Sequence, residues 1–513
     1  MCFGKNPLTF KTQQAGRIRK EIGPLPFYEN NNQSPREQTM LKKLTEEEFK
    51  RRAANADRVA VFREFLADRE TPVAALSRLD EDEEAFLLES VAGGETRGRY
   101  SYLGIEPSGR IEGEDALYAL KARFAAARYA TADELPEFQG GAVGYVAYDA
   151  VRLFEPRVRL ERESGTPSMA FLICDKFLVF DNVRGTVTIV VIADATAPGT
   201  YTESMEQIER IYGKMLSAES IARVMSRQGQ RAAASNESFR SEMSKEEFCE
   251  MVAKCKAAIR AGEVIQIVPS QKFTVATDVP GLALYRALRT INPSPYNFFM
   301  RIGGKTLIGS SPEELVKLSG RTAATAPIAG TRPRGATAAK DAELERELKG
   351  DEKENAEHVM LVDLGRNDLG RVCETGSVKV ADLAHVERYS HVMHLVSNVT
   401  GTLAKEYDAF DLLRATFPAG TLSGAPKVRA MELIAEYEKS PRGVYGGAAG
   451  YFSLTGDMDF AIVIRTLVKE GGLVTMRSGA GIVADSNPEK EYDETINKAK
   501  AVFEAVKFAE ELS

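Results

Sequence analysis

Hydrophobic positions along the chain follow two periods, which predict helices and strands mixed along one sequence. Phe248, Met251, Val252, Cys255 and Ile259 recur at helical spacing, so residues 245–261 are predicted to form a helix with one buried face. Runs rich in β-branched and aromatic residues, bounded by turn residues, predict strands. These runs lie at residues 86–91, 97–103, 140–148, 169–181, 186–192, 264–275, 296–302, 305–308, 315–318, 460–469 and 473–477. Adjacent strands mixed with long helices predict an α+β fold with antiparallel sheets and helices outside.

Two helix starts carry the same capping chemistry. Thr45 and Ser244 are each followed three residues later by a glutamate, which is the capping-box pattern. Apolar residues flank each box at the positions of a hydrophobic staple. We therefore expect an ordered fold to begin at Leu44, just before the first box.

Composition divides the chain into four segments. Residues 1–43 are polar, rich in Asn and Gln and without a sustained period, which predicts a disordered N-terminal extension. A transit peptide is the alternative, but the first serine is Ser34, which is unusual for that class. Residues 44–217 form an N-terminal region, residues 218–243 are polar and predict a linker, and residues 244–513 form the C-terminal region.

Bulk composition excludes several classes of protein. The 513 residues are 43% hydrophobic and 27% charged, which is ordinary for a soluble globular protein. A net charge of −7 gives no indication of a nucleic-acid surface, and no apolar run is long enough for a membrane span. Five cysteines without CxxC spacing and four histidines argue against disulfides and zinc sites. A reducing cytoplasm is the simplest context.

Two pairs of glutamates are candidates for a metal site. Glu354 and Glu357 are three residues apart in a predicted helix that Gly365 is expected to cap, so both carboxylates share one face. Glu491 and Glu494 repeat this spacing after Asn487 and Pro488, a predicted N-cap and first helical residue. An acidic run is more often a solvated helix face. Two such helices can nevertheless converge on one hard cation such as Mg²⁺, which needs few direct carboxylates.

Ten motifs in a fixed order carry a resemblance to a known family. They are FxxxVxxxKxxIxxGE at 248–263, QIVPSQ at 266–271, NPSPYNFF at 292–299, GSSPE at 309–313, PIAGTRPRG at 327–335, DEKENAEHVMLVDLGRNDLGRV at 351–372, VMHLVSNV at 392–399, PAGTLSGAPK at 418–427, RSGAGIVADS at 477–486 and PEKEYDET at 488–495. With them the chain resembles the chorismate-utilising enzymes, most closely the component I group of anthranilate synthases. The resemblance implies an intertwined α+β fold, with two sheets packed as a β-sandwich and helices covering the outside.

The resemblance implies a magnesium ion and a chorismate site. Glu357 and Glu494 match direct Mg²⁺ ligands, and Glu354 and Glu491 match ligands that act through water. Chorismate is a dianion, so its other carboxylate needs guanidinium or N–H donors. The positions that match substrate contacts of the family are Gly330, Thr331, Tyr451, Arg465, Gly479, Ala480, Gly481 and Lys498. Without the motifs, Arg465 would be interpreted as a surface arginine of a hairpin. The sequence Gly479-Ala480-Gly481, called the GAG loop below, would be interpreted as an ordinary turn.

Catalytic roles follow from the same resemblance. Glu313 matches the general acid that protonates the leaving hydroxyl, and burial near substrate would raise its pKa for that task. His394 and Thr421 match residues near the substrate ring, and His394 is a candidate for the base. The alternatives are a capping glutamate and a core histidine. Gln266 replaces the lysine of relatives that add water to chorismate, and Ala329 replaces the lysine that aminodeoxychorismate synthases commonly carry.

Partners and regulation are also implied. The chain has no glutaminase-type nucleophile loop, so a separate glutamine amidotransferase subunit is expected, in a heterotetramer. Ser90, Pro295, Tyr296 and Asn297 resemble elements of a feedback site for tryptophan. The hypothesis is therefore an anthranilate synthase large subunit of tryptophan biosynthesis. The alternatives are aminodeoxychorismate synthase component I and a non-catalytic amino-acid sensor with the same fold.

Overall fold

The computed structural model describes residues 41–90, 98–216, 239–389 and 392–512. Lys42–Ser513 forms one compact unit. Lys43, one residue before the predicted start at Leu44, makes a β-bridge to Arg63. Arg240–Ser241, at the end of the predicted linker, is a short strand. The rest of the linker up to residue 238 lies outside the described residues, as does most of the predicted N-terminal extension.

The helices begin where local capping chemistry predicts. The Thr45 hydroxyl accepts a hydrogen bond from the Glu48 amide, and Ser244 and Glu247 form a complete capping box. Asn487 accepts from two amides of the last helix. The α-helices of the described chain are Glu46–Ala53, Pro72–Leu76, Ala116–Ala125, Val151–Phe154, Thr200–Met215, Lys245–Arg260, Gly281–Ile291, Ala338–Gly350, Glu352–Gly370, Ala409–Thr416, Gly420–Ser423, Lys427–Tyr437 and Pro488–Leu512.

The first large sheet has twelve strands within the described residues. In spatial order they are Arg240–Ser241, Ser270–Ala276, Leu473–Gly479, Thr466–Glu470, Lys305–Ser311, Tyr296–Ile302, Ala85–Glu89, Tyr100–Gly104, Lys176–Asp181, Thr186–Asp194, Arg58–Leu66 and Tyr129–Ala130. All neighbours pair antiparallel except the last two strands, which are parallel.

The second large sheet has ten strands in the part of the chain that is described. Nine follow one another as Ile328–Pro333, Val392–Thr402, Thr322–Thr325, Glu314–Ser319, Met458–Ile462, Ala448–Ser453, Gly141–Val146, Met169–Cys174 and Gly109–Glu112, and Lys379–Arg388 pairs with Val392–Thr402. Gln266–Ile267 and Gly424–Ala425 form a separate two-stranded ladder.

Both large sheets combine strands from the two halves of the sequence. In the first sheet Ala85–Glu89 pairs with Tyr296–Ile302, and in the second Gly141–Val146 pairs with Ala448–Ser453. The predicted regions 44–217 and 244–513 are thus hydrogen-bonded to each other along the middle of each sheet. The intertwined two-sheet α+β fold is confirmed.

Alternating side chains explain how the layers pack. In strand Gly141–Val146, Val143 and Tyr145 enter the core shared with the first sheet, whereas Ala142 and Val146 enter a second core on the opposite face. Successive residues of a strand point to opposite faces, so a run that is buried throughout lies between two apolar layers. The helix Ala409–Thr416 contributes to the second core. The second sheet is therefore covered on both faces.

One helix boundary differs from the prediction. The helix Glu352–Gly370 continues through Gly365, which was expected to cap it. A Cβ at Gly365 would lie 3.1 Å from the Thr325 methyl group, so the absent side chain lets the helix pack closely on strand Thr322–Thr325. Among the described residues, no helix combines the length and apolar character required to cross a membrane.

Candidate active site

Glu313 is a buried carboxylic acid in the turn between strands Lys305–Ser311 and Glu314–Ser319. Its backbone is held on both sides, because the Glu313 amide donates to Ser311 Oγ at 3.3 Å and the Glu313 carbonyl accepts from the Ile462 amide at 3.0 Å. Burial raises the pKa of Glu313 to about 8, although the nearby Thr421 and Arg465 side chains oppose the rise. At neutral pH this side chain therefore holds a proton that it can donate.

Arg465 lies where the chain crosses from one sheet to the other. Strand Met458–Ile462 belongs to the second sheet and strand Thr466–Glu470 to the first, so the single run predicted at 460–469 is two strands. Arg465 has φ of 49°, which lets the chain turn at this crossing. Its guanidinium is largely buried, which lowers its pKa, and Nη1 donates to Asn292 Oδ1 at 3.0 Å. A buried cation beside a protonated acid suits an anionic ligand.

His394 is held by the strand beside it. Strand Ile328–Pro333 has a bulge between Ala329 and Thr331, where Gly330 adopts φ of 62°. His394 Nδ1 is 2.9 Å from the Gly330 carbonyl oxygen and 3.1 Å from Thr331 Oγ1. A carbonyl only accepts, so Nδ1 donates to Gly330 and the lone pair of the neutral ring is on Nε2. Burial lowers the pKa of His394, which favours this neutral form.

Glu354 and Glu357 share one face near the start of helix Glu352–Gly370. Burial and the Glu357 charge raise the pKa of Glu354. Gln266 Nε2 donates to Glu357 Oε1 at 2.7 Å. The carboxylate of Glu354 also lies 3.2 Å from the position of a Cβ on Gly330, which joins this pair to the strand beside His394.

Glu491 and Glu494 form the second pair, in the first two turns of helix Pro488–Leu512. Burial raises the pKa of Glu491, and Glu494 adds to the rise, whereas Lys353 opposes it. Lys353 belongs to the helix that carries Glu354 and Glu357, and it is close enough to affect Glu491. The acidic ends of the two helices therefore lie near each other. Within the described residues, no three carboxylate, imidazole or thiol groups form a ready metal cluster. Two direct carboxylates with water and a ligand are still a suitable donor set for Mg²⁺.

The GAG loop closes the site beside these carboxylates. Gly479 pairs with Ser270, and a Cβ on Gly481 would lie 3.0 Å from Gln266 Nε2 and 3.9 Å from Glu357 Oε1. Ala480 is buried, and its amide donates to the Pro269 carbonyl at 3.2 Å. The amide of Ala480 is thus already engaged, so the predicted anion contacts of this loop depend on its two glycines.

Lys498 links the second acidic helix to the GAG loop. Its Nζ is 2.6 Å from Glu494 Oε1 and donates to the Gly479 carbonyl at 3.0 Å. To donate to the substrate as predicted, Lys498 would have to give up one or both of these protein contacts.

Tyr451 lies away from the other predicted substrate residues. Its ring packs 4.9 Å from that of Phe138 in the core, and burial, together with the nearby Asp459, raises the pKa of the Tyr451 hydroxyl. Tyr445 lies at the GAG loop instead, with its hydroxyl 3.0 Å from the position of a Cβ on Gly479. Tyr445 lies in the turn that precedes strand Ala448–Ser453, and Tyr451 lies within that strand. The structure therefore places Tyr445 at the GAG loop and the ring of Tyr451 in the core.

Thr421 and Gln266 complete the set of predicted catalytic residues. Thr421 and Glu313 line the same partly open cavity, of about 40 Å³, and Thr421 Oγ1 is buried without a hydrogen bond of regular geometry among the described residues. The Oε1 atom of Gln266 is likewise buried without a described partner. Both atoms are directed into buried space close to the acid or to the carboxylate pair, where a polar ligand would satisfy them.

The four predicted regulatory residues lie at the ends of two paired strands. Ser90 follows strand Ala85–Glu89, and Pro295 precedes strand Tyr296–Ile302, in which Asn297 is opposite Glu89. The Tyr296 hydroxyl donates to Glu314 Oε2 at 2.9 Å. Asn297 Nδ2 donates to the Ser294 carbonyl and its Oδ1 accepts from Ser310, so this side chain holds the turn.

Comparison with known proteins follows the same motifs. The chorismate binding enzyme family matches residues 83–504. The chain is 42% identical over 496 residues to the anthranilate synthase component 1 of Acetivibrio thermocellus, covering 91% of this chain and 99% of that one. It is 45% identical over 469 residues to the component 1 of Streptomyces coelicolor, covering 89% and 91%.

Solved structures show the same fold. The anthranilate synthase component I of Streptococcus pneumoniae superposes with a TM-score of 0.68 at 36% identity, covering 85% of this chain and 98% of that one. The menaquinone-specific isochorismate synthase of Escherichia coli has the same TM-score of 0.68 at 20% identity, covering 90% and 98%. The comparison with the isochorismate synthase shows only that the two chains share a fold.

Proposed function

Because the chain belongs to the family of chorismate-binding enzymes, we propose that it is the large subunit of an anthranilate synthase and converts chorismate and ammonia to anthranilate and pyruvate. One observation carries the proposal. The carboxyl group of Glu313 is buried, has a pKa of about 8, and lies near the cationic Arg465. A proton donor beside an anion-binding group is what this reaction requires.

The two ends of the site hold the two carboxylates of chorismate. Arg465 binds the enolpyruvyl carboxylate, and its burial strengthens that interaction. Glu357 and Glu494 would hold Mg²⁺, with Glu354 and Glu491 in support through water. The ion, when bound, supplies positive charge for the ring carboxylate. The raised pKa of Glu354 beside Glu357 supports this assignment, because two partly buried carboxylates are stabilised by a shared cation.

Glu313 protonates the hydroxyl at ring carbon 4 while ammonia adds at carbon 2. Protonation lets the hydroxyl leave as water, and the ring double bonds shift. The proton on carbon 2 is then removed and pyruvate is eliminated, which produces the aromatic ring. The neutral His394 ring, with Nδ1 fixed by Gly330, offers Nε2 as the acceptor for that proton.

Two residues favour ammonia as the nucleophile and an aromatic product. Gln266 donates to Glu357 and cannot act as the base that activates water. Ala329, buried in the strand beside His394, has no amine with which to attack the ring. Both features favour anthranilate over isochorismate or aminodeoxychorismate as the product.

We also propose a partner and a regulator. A glutamine amidotransferase subunit, anthranilate synthase component II, supplies ammonia to this chain. Tryptophan inhibits the enzyme by binding near Ser90 and Tyr296, which lie at the ends of adjacent strands from the two halves of the sequence.

The test is a fluorescence assay for anthranilate with the purified chain, chorismate, Mg²⁺ and either ammonium salt at alkaline pH or glutamine. We expect product with ammonium and none with glutamine, and no product from the Glu313→Gln variant. A non-aromatic product would identify an aminodeoxychorismate synthase. Product from glutamine would remove the two-subunit proposal, and no product from ammonium would remove the enzymatic assignment.

A further inference from the structure

Arg442 is a buried arginine whose side chain is 1% exposed and fully engaged by the protein. Nη1 donates to the Leu422 carbonyl at 2.6 Å, and Nη2 donates to the Val268 carbonyl at 2.6 Å. Nε and Nη2 both donate to the Glu438 carboxylate, the second at 2.6 Å. One planar guanidinium thus joins its own segment, through Glu438 four residues before it, to two segments that are distant in sequence.

The two distant segments each carry a residue of the candidate active site, and Glu438 contacts a third segment that pairs with the GAG loop. Leu422 directly follows Thr421, and Val268 lies two residues after Gln266. Glu438 accepts from the Ser270 amide at 2.7 Å and from Ser270 Oγ at 2.9 Å. Ser270 is in turn the strand partner of Gly479 in the GAG loop.

Two aromatic rings also contact the Arg442 guanidinium, and one of them faces the candidate site. Its guanidinium carbon is 4.4 Å from the ring centroid of Tyr148 and 5.7 Å from that of Tyr445, which faces the GAG loop. Residues of the N-terminal half fix the turn that follows Arg442. The Tyr148 amide donates to the Gly443 carbonyl at 2.8 Å, and the Gly443 amide donates to Asp149 Oδ2 at 3.1 Å.

The charge of Arg442 is neutralised within the protein. Glu438 lies against it with a side chain that is 4% exposed, and this carboxylate raises the pKa of Arg442 although burial opposes the rise. Arg465 differs, because its described hydrogen-bond partner is an amide. Arg442 is therefore placed to hold protein segments and Arg465 to hold an anion.

We propose that Arg442 is a positioning residue for the chorismate reaction, which sets the placement of Thr421, Gln266 and Gly479 relative to one another. The proposal rests on the function proposed above. Arginine is required because only its rigid fork of N–H groups reaches two carbonyls and a carboxylate at once. Lysine at this position keeps the charge but cannot make all of these bonds in one geometry.

The expected effect is on turnover. A displacement of about 1 Å at a reacting group can lower the rate by roughly 100-fold. We expect Arg442→Met to lower kcat by at least about tenfold per folded molecule, and Arg442→Lys to lower it less. Because Thr421 lowers the pKa of Glu313, its displacement should also move the alkaline limb of the kcat–pH profile to higher pH.

A matched control is available in the N-terminal half. Arg78 pairs with Glu70, the two side chains are 5% and 7% exposed, and Arg78 also donates to the Met215 carbonyl. Arg78→Met removes a buried arginine of the same kind that contacts no residue of the candidate site. We expect it to lower the thermal midpoint as Arg442→Met does, with kcat and the pH profile unchanged.

The experiment measures anthranilate formation from ammonium, kcat against KM for chorismate, the pH profile and the thermal midpoint. Tyr148→Leu, which removes only the ring under the guanidinium, replaces Arg442→Met if that variant does not fold. The inference is overturned if Arg442→Lys and Tyr148→Leu keep the wild-type kcat and pH profile at a lowered thermal midpoint. If the wild-type chain makes no anthranilate, the proposed function has failed instead.

Discussion

Replacement of Glu313 by glutamine should make the protein more stable and almost inactive. The amide has the shape and polarity of the protonated acid, so it fits the same buried turn. It has no acidic proton to donate to the leaving hydroxyl. At this position, therefore, catalysis requires glutamate, whereas glutamine gives the more stable fold.

The loss of activity follows from the protonation state. With a pKa of about 8, roughly nine-tenths of the Glu313 side chains are protonated at pH 7, whereas a carboxyl with the ordinary pKa of 4.5 would be protonated in about 0.3% of molecules. General acid catalysis contributes about 10²- to 10⁴-fold, so kcat of Glu313→Gln should fall by that factor. In the wild type, kcat should stay level below pH 8 and fall above it, because the ionised carboxylate cannot donate.

The gain in stability depends on pH, and its sign follows from the raised pKa. Below pH 4.5 Glu313 is protonated in both the folded and the unfolded chain, so burial of an ionisable group carries no penalty. Between pH 4.5 and 8 only the unfolded chain ionises, so folding loses about 1.4 kcal/mol for each pH unit. The 3.5 pH units between these values amount to about 5 kcal/mol, which glutamine avoids.

Thermal unfolding of both proteins at pH 5, 7 and 9 measures this effect. The midpoint of Glu313→Gln should be close to that of the wild type at pH 5 and clearly above it at pH 7. The difference should level off beyond pH 8, where Glu313 is ionised in both states. A difference that does not vary with pH would show that Glu313 has an ordinary pKa, and full activity of the variant would refute its role as the acid.

Four further substitutions separate the parts of the site. Tyr445→Phe should raise KM for chorismate several-fold because its hydroxyl faces Gly479, whereas Tyr451→Phe should leave KM unchanged; steady-state kinetics that reversed this order would return Tyr451 to the site. Glu357→Gln should raise the Mg²⁺ concentration that gives half-maximal rate by about tenfold or more, and an unchanged Mg²⁺ titration would exclude Glu357 as a ligand. Tyr296→Phe removes the hydrogen bond to Glu314, so inhibition by tryptophan should weaken while kcat remains within about twofold; unaltered inhibition curves would exclude this residue from the regulatory site.

Features that depend on a few neighbouring residues were predictable. The caps at Thr45, Ser244 and Asn487 each use a side chain and an amide within three residues, so the sequence pattern is sufficient. The same holds for the two glutamate pairs, because helical spacing alone places each pair on one face.

Features that depend on contacts between distant segments were not predictable from one sequence. Gly365 resembles a helix cap, but the adjacent strand Thr322–Thr325 turns it into a packing position. Tyr445 and Tyr451 are six residues apart in a glycine-rich stretch, and only the folded chain shows that Tyr445, in the turn before strand Ala448–Ser453, faces the GAG loop. The i,i+4 spacing of Glu438 and Arg442 is visible in the sequence, but the other partners of Arg442, the Leu422 and Val268 carbonyls, come from two distant segments.

The proposed regulatory and catalytic sites are separated by a single strand pairing. Tyr296 is opposite Ser311 in the first sheet, and Ser311 Oγ accepts from the amide of Glu313 at 3.3 Å. A ligand that binds better to one arrangement of strand Tyr296–Ile302 therefore acts directly on the turn that carries the acid. The same strand pairs with Ala85–Glu89 from the N-terminal half, so a ligand at these strand ends contacts both halves of the sequence. Arg465 is hydrogen-bonded at 3.0 Å to Asn292, which precedes the same strand, so a shift of this segment should displace both the proton donor and the anion-binding group. Inhibition should therefore weaken chorismate binding as well as lower kcat.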